Sequence, residues 1–89
     1  MDFSLSYPVT FKGETVASLT LRRPKGRDLL KMEEGKGSAG RRAMQLIADL
    51  AEREPALIEE LDPADLAAIN EWLEPILDPN GQASDGSGN

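Results

Sequence analysis

The chain has 89 residues, 29% of them charged, and a net charge of −6, which suits one small domain whose core is lean. It contains no cysteine and no histidine, which excludes a disulfide frame, a thiolate metal site and a cysteine nucleophile. The commonest general base and metal ligand is missing as well. No run of about 18 apolar residues suggests a membrane span, and Met1-Asp2-Phe3-Ser4 does not open like a secretory signal, so a cytoplasmic protein is expected.

Residues 3–11 predict a strand. Phe3, Leu5, Tyr7, Val9 and Phe11 alternate with polar or small residues, the period of a sheet with one buried face. Pro8 cannot donate to a ladder, so this strand is expected at an edge or with a bulge. Lys12-Gly13-Glu14 supplies a turn, and residues 15–21 alternate again, with Leu19 and Leu21 on one face. The two strands predict a β-hairpin over 3–22.

Pro24 ends the second strand, and a short helix is expected over 26–34 with Leu29, Leu30 and Met32 as its apolar contacts. Gly35-Lys36-Gly37-Ser38-Ala39-Gly40 reads as a break, because each glycine costs about 1 kcal/mol inside a helix. Over 41–53 the spacing turns helical, with Ala43, Leu46, Ile47, Leu50 and Ala51 on one stripe and Gln45, Asp49 and Glu52 facing away. Pro55 interrupts it, and a further turn or two is expected over 55–61. Leu61-Asp62-Pro63-Ala64-Asp65-Leu66 marks a helix start, with Asp62 as cap, Pro63 in the first helical position and Asp65 adding charge to the first turn. This last helix is expected over 63–76, with Leu66, Ile69, Leu73 and Ile76 as an apolar row beside Trp72. Pro75 should end or kink it near its last turn. Residues 78–89 contain one apolar residue, Ala83, and are expected to be a disordered tail. The fold class expected is therefore α+β: an N-terminal antiparallel hairpin followed by two to four short helices in one domain over 1–77.

The charge is divided along the chain. Residues 1–42 carry nine cations against five anions, whereas residues 43–89 carry Arg53 alone against eleven anions. Either the two halves neutralise each other, or they present two differently charged faces to different partners. Arg22, Arg23, Lys25, Arg27 and Lys31 crowd the joint between strand and helix and form a basic patch that could contact phosphates. No aromatic residue interleaves these cations for base stacking, and the acidic helices would repel a polyanion. Pairing with Glu33, Glu34 or the later acidic helices is the stronger expectation, so nucleic acid is not an expected partner.

Catalysis finds little to stand on. Glu33-Glu34 and Glu59-Glu60 are neighbours that point about 100° apart on a helix, so neither pair shares a site. Asp62 with Asp65 is explained by capping, and Gly35-Lys36-Gly37-Ser38 lacks the spacing that cradles a nucleotide. No catalytic, cofactor-binding or metal residues are assigned, and no cofactor is expected. Two amphipathic helices over one hairpin make a lean core, so self-association or docking of an apolar peptide is expected. The candidate protein-binding residues are Leu66, Ile69, Trp72, Leu73 and Ile76, with Trp72 the anchor or, alternatively, a core residue.

The order of these features carries a resemblance. Ser18-Leu19-Thr20-Leu21-Arg22-Arg23-Pro24, then Gly26-Arg27-Asp28-Leu29, Ile47-Ala48-Asp49-Leu50 and Leu61-Asp62-Pro63-Ala64-Asp65-Leu66 resemble the small tail assembly chaperones of long-tailed bacteriophages and prophages, in particular the Mu-like group and its relatives. The resemblance spans roughly residues 3–77. It implies a protein that binds the long helical tape-measure protein in the host cytoplasm, keeps it soluble and assists tail tube assembly around it. The tail tube protein is a further partner it would admit, beside the homo-oligomer that the lean core already suggests. It also implies absence from the finished particle and, in many members, a longer frameshifted form. Two other readings stay open: a small nucleic-acid-binding phage regulator using residues 22–31, and a structural tail component.

Overall fold

The computed structural model describes residues 1–77; the tail expected over 78–89 lies outside the described residues. Two strands, β1 (Asp2–Phe11) and β2 (Glu14–Thr20), precede four helices, α1 (Gly26–Glu34), α2 (Ala39–Ala51), α3 (Pro55–Glu59) and α4 (Pro63–Leu77). The architecture is α+β, as the patterning predicts.

The strands form a two-stranded antiparallel sheet. Lys12 and Gly13 close it with φ of 51° and 79°, the positive values that a two-residue turn needs to follow the right-handed twist of the strands. Pairing runs from Asp2↔Thr20 to Ser4↔Ser18 at the open end and from Val9↔Val16 to Phe11↔Glu14 at the turn. Between them residues 5–8 of β1 stand opposite Ala17 alone. The proline-induced irregularity expected at Pro8 is therefore present. It also overturns part of the simple alternation: Tyr7, expected on the buried face, is 57% exposed because it lies where the chain has left the pleat.

The hairpin buries Leu5, Val16, Leu19 and, just beyond β2, Leu21 against the helices. From α2 come Leu46, Ile47, Ala48 and Leu50, from α3 Leu57 and Ile58, and from α4 Ile69 and Leu73, with Leu61 between the last two helices. The Arg22 N–H donates to the Leu50 carbonyl at 3.0 Å, which fixes the exit of β2 to the end of α2. Ser38 caps α2, accepting from the Arg41 N–H at 3.2 Å. That helix consequently begins two residues earlier than the glycine spacing suggests. Its end is set by Glu52, whose φ of 56° turns the chain out of the helix.

Helix α1 departs most from its apolar pattern. Leu30, expected among its contacts, is 56% exposed, and the buried residue of the helix is Asp28. In α4, Pro75 lies inside the last turn and the helix continues to Leu77. The entry of α4 is bound twice. Asp62 Oδ1 accepts from the Ala64 N–H at 2.9 Å, the expected cap. Asp65 does more than charge the first turn: buried, it accepts from the Ser6 N–H at 2.8 Å and the Tyr7 N–H at 3.1 Å. Those two amides lie in the irregular stretch of β1, so the carboxylate takes the place of the missing ladder partner.

Asp65→Ala should destabilise the protein by about 1–3 kcal/mol, because it removes two hydrogen bonds to a charged acceptor that join α4 to β1. Asp62→Ala, which removes an exposed cap, should cost about 1 kcal/mol. Urea unfolding of both variants gives the comparison; equal losses would remove Asp65 as the link between α4 and β1.

Candidate protein-binding face

Helix α4 carries the apolar row that the sequence singles out, and the fold divides it. Ile69 and Leu73 are buried inside the core. Leu66, Trp72 and Ile76 are half-buried at its margins. The helix packs along β1, and Trp72 meets Phe3 edge to face, with ring centroids 5.7 Å apart and planes inclined at 73°. Trp72 is thus both a wall of the core and an accessible surface. The opposite side of the helix exposes Ala64, Ala67, Ala68, Glu71 and Glu74. Three apolar side chains with an accessible edge, supported from beneath by Ile69 and Leu73, form a rigid margin rather than a deep groove.

The basic joint is built around Asp28. Arg22 Nη1 and Nη2 donate to Asp28 Oδ2 and Oδ1 at 2.8 and 3.0 Å, a paired fork, and the Lys25 N–H donates to Oδ2 at 2.8 Å. The last bond is half of a capping box, legible in the position of Asp28 at the third residue of α1. The Arg22 hydrogen bonds, followed by that amide, hold the Asp28 carboxyl well below the usual carboxylate range. The same contact raises the Arg22 guanidinium. Arg22 is therefore occupied within the fold. Lys31 reaches Asp49 of α2 at 3.0 Å, so it pairs with a later helix as expected, whereas neither Glu33 nor Glu34 takes a cation among the described residues. Arg23, Lys25 and Arg27 remain exposed.

A shallow cleft of about 460 Å³ beside this joint is lined by Arg22, Arg27, Lys31 and Arg53, and also by Asp28, Asp49 and Glu52. Cations and carboxylates alternate there, so it does not offer a continuous positive surface to a phosphate chain. A smaller cavity of about 170 Å³ lies between α1 and α2, walled by Met32 and Leu46 and rimmed by Lys36 and Arg42. Among the described residues no cluster of acidic side chains could hold a metal ion, and no helix is long and apolar enough to cross a membrane.

The family model described as phage tail assembly chaperone proteins, E, or 41 or 14, matches residues 2–78. The chain belongs to this family of phage tail assembly chaperones, and the match takes in every strand and helix of the fold. No curated protein and no solved structure matches it.

The depressed Asp28 carboxyl sets a pH dependence. Its folded value lies below its unfolded value of about 4, so its contribution to stability is fully present above that value. It is lost as pH falls below about 4 toward the folded value. Asp28→Asn should lower the melting temperature at neutral pH and shrink the loss of stability between about pH 4 and pH 2. Thermal melts across that range test this; an unchanged acid limb would count against the Asp28 carboxylate as its source.

Proposed function

We propose that this tail assembly chaperone binds the phage tape-measure protein, keeps it soluble in the host cytoplasm and delivers it to the growing tail tube, in the manner of the Mu-like group. The observation that carries the reading is the margin of α4. Leu66, Trp72 and Ile76 keep accessible apolar edges on an otherwise highly charged chain. An apolar helical client needs such an edge to dock on, and a protein that holds it in solution needs charge around that edge. Glu71 and Glu74 on the outer side of the same helix supply it. Ile69 and Leu73 act from within, fixing the helix on β1 so that the three docking side chains hold their positions.

Binding of this kind needs no bond-making step, and the chain acts by occupying surface rather than by catalysis. Trp72 is the anchor. Its ring is oriented by Phe3 beneath it, so little conformational entropy is lost when a partner covers its outer edge. The tail tube protein would meet the complex only once the client is loaded. A structural role in the finished tail is the competing reading, and mass spectrometry of purified particles separates the two, since a chaperone leaves.

Leu66→Ser with Trp72→Ala should abolish co-purification of the co-expressed tape-measure protein and send it to the insoluble fraction. Ala68→Ser on the outer side of α4 should leave both unchanged. Circular dichroism of the double variant checks that its helices remain. A folded double variant that still holds the client in solution would sink the proposal.

A further inference from the structure

The two outer edges of the hairpin differ sharply. Along β1, Pro8 has no N–H to offer, residues 5–8 depart from the ladder, and the Ser6 and Tyr7 amides are already taken by Asp65. Helix α4 packs against that strand. These are the devices by which a sheet edge is protected from pairing with another chain. Over residues 15–20 strand β2 has none of them, although just past its end the Arg22 N–H, on the same outer side, donates to the Leu50 carbonyl at 3.0 Å. The strand contains no proline and no lysine, and its one charged residue, Glu14, lies beside the turn and is held by Arg53 at 2.9 Å. Among the described residues, the backbone of residues 15–20 bonds to nothing beyond β1.

The direction of the unused groups follows from the ladder. Met1 and Leu21 exchange both backbone bonds, at 2.7 and 2.8 Å. Bonded and unbonded pairs alternate along antiparallel strands, so Thr20 opposite Asp2 and Ser18 opposite Ser4 are unbonded pairs. Ser18 and Thr20 therefore direct their N–H and C=O groups away from β1.

The chemistry of this surface narrows what can meet it. Residues 3–11 and 15–21 include no charged side chain, although 29% of the chain is charged. The hairpin instead exposes Ser4, Thr15, Ala17, Ser18 and Thr20. These side chains are small and uncharged, so they neither repel a partner strand nor block its approach. Two copies of a chain at −6 repel one another on balance; residues 15–20 of neither copy bring a charge, and the nearby Asp2 carboxylate accepts from the Thr20 hydroxyl of its own chain at 2.8 Å.

We propose that the free edge of β2 pairs antiparallel with the same edge of a second copy, joining two hairpins into one continuous sheet. With the two-fold axis at Leu19, Ser18 exchanges both main-chain bonds with Thr20 of the second copy, and the reciprocal pair does the same. Hydroxyl side chains then face one another across the junction, and no like charges are opposed. The pairing also removes a weakness of the fold, since two strands alone are marginal and a wider sheet is not. This dimer leaves the margin of α4 on each copy free, and it does not depend on the identity of the client.

Sedimentation of the full chain over a dilution series tests the proposal, with amide hydrogen exchange measured on the same samples. The expected result is a dimer that dissociates on dilution, in which the Ser18 and Thr20 amides are protected and lose that protection as monomer forms. Ser18→Lys with Thr20→Lys should give a folded monomer, whereas Glu71→Lys on α4 should remain dimeric. A monomer at every concentration overturns the proposal, as does a dimer whose Ser18 and Thr20 amides exchange freely or one that the folded double-lysine variant retains. If that variant fails to fold, the exchange data on the unaltered chain decide.

Discussion

A two-stranded sheet has one face to bury and no neighbouring strand to hold it, and the rest of this structure follows from that constraint. The helices must cover the hairpin and also fix its position, which apolar contacts alone do poorly because they have no direction. Two buried carboxylates supply the direction. Asp65 joins the first turn of α4 to the irregular stretch of β1, and Asp28 joins the first turn of α1 to Arg22 at the exit of β2. Each serves a helix start and a hairpin strand, so each helix enters at a defined place on the sheet.

The same two carboxylates shape the surface left for partners. Asp65 lets β1 carry an irregularity without orphaned amides, and that irregularity blunts one edge of the sheet while residues 15–20 of β2 keep an uncharged one. Asp28 engages Arg22 and so removes the central cation from what the sequence presents as a basic patch. The remaining positive groups stand among carboxylates or apart from one another. Charge in this protein chiefly settles how the chain packs on itself. In the proposed function, the accessible apolar edges of α4 are the surface that meets a client.

Much of the fold can be read along the chain because it depends on neighbours. The Lys12-Gly13 turn, the Asp62-Pro63 start of α4 and the apolar stripe of α2 are local signals, and each element appears where those signals put it. The exceptions have a common cause. Leu30 and Tyr7 fit a buried period yet face solvent, because a period says which residues share a face and not whether anything covers it. Asp28 could have been found in part from its place at the third residue of α1, a position that favours capping. Asp65 could not: its partners Ser6 and Tyr7 are separated from it by 59 and 58 residues.

The apolar row of α4 shows the same division. The spacing of Leu66, Ile69, Trp72, Leu73 and Ile76 puts them on one side of a helix, and the helix forms. Which of them belong to the core and which keep an edge in solvent depends on how α4 lies across β1 and on where Phe3 stops Trp72. The sequence by itself determined the order of elements, their periods and the family, because those reside in local residue spacing. The tertiary structure alone decided which carboxylates became links, which strand edge stayed open and which apolar side chains remained within reach of a partner, because each rests on contacts between residues far apart in the chain.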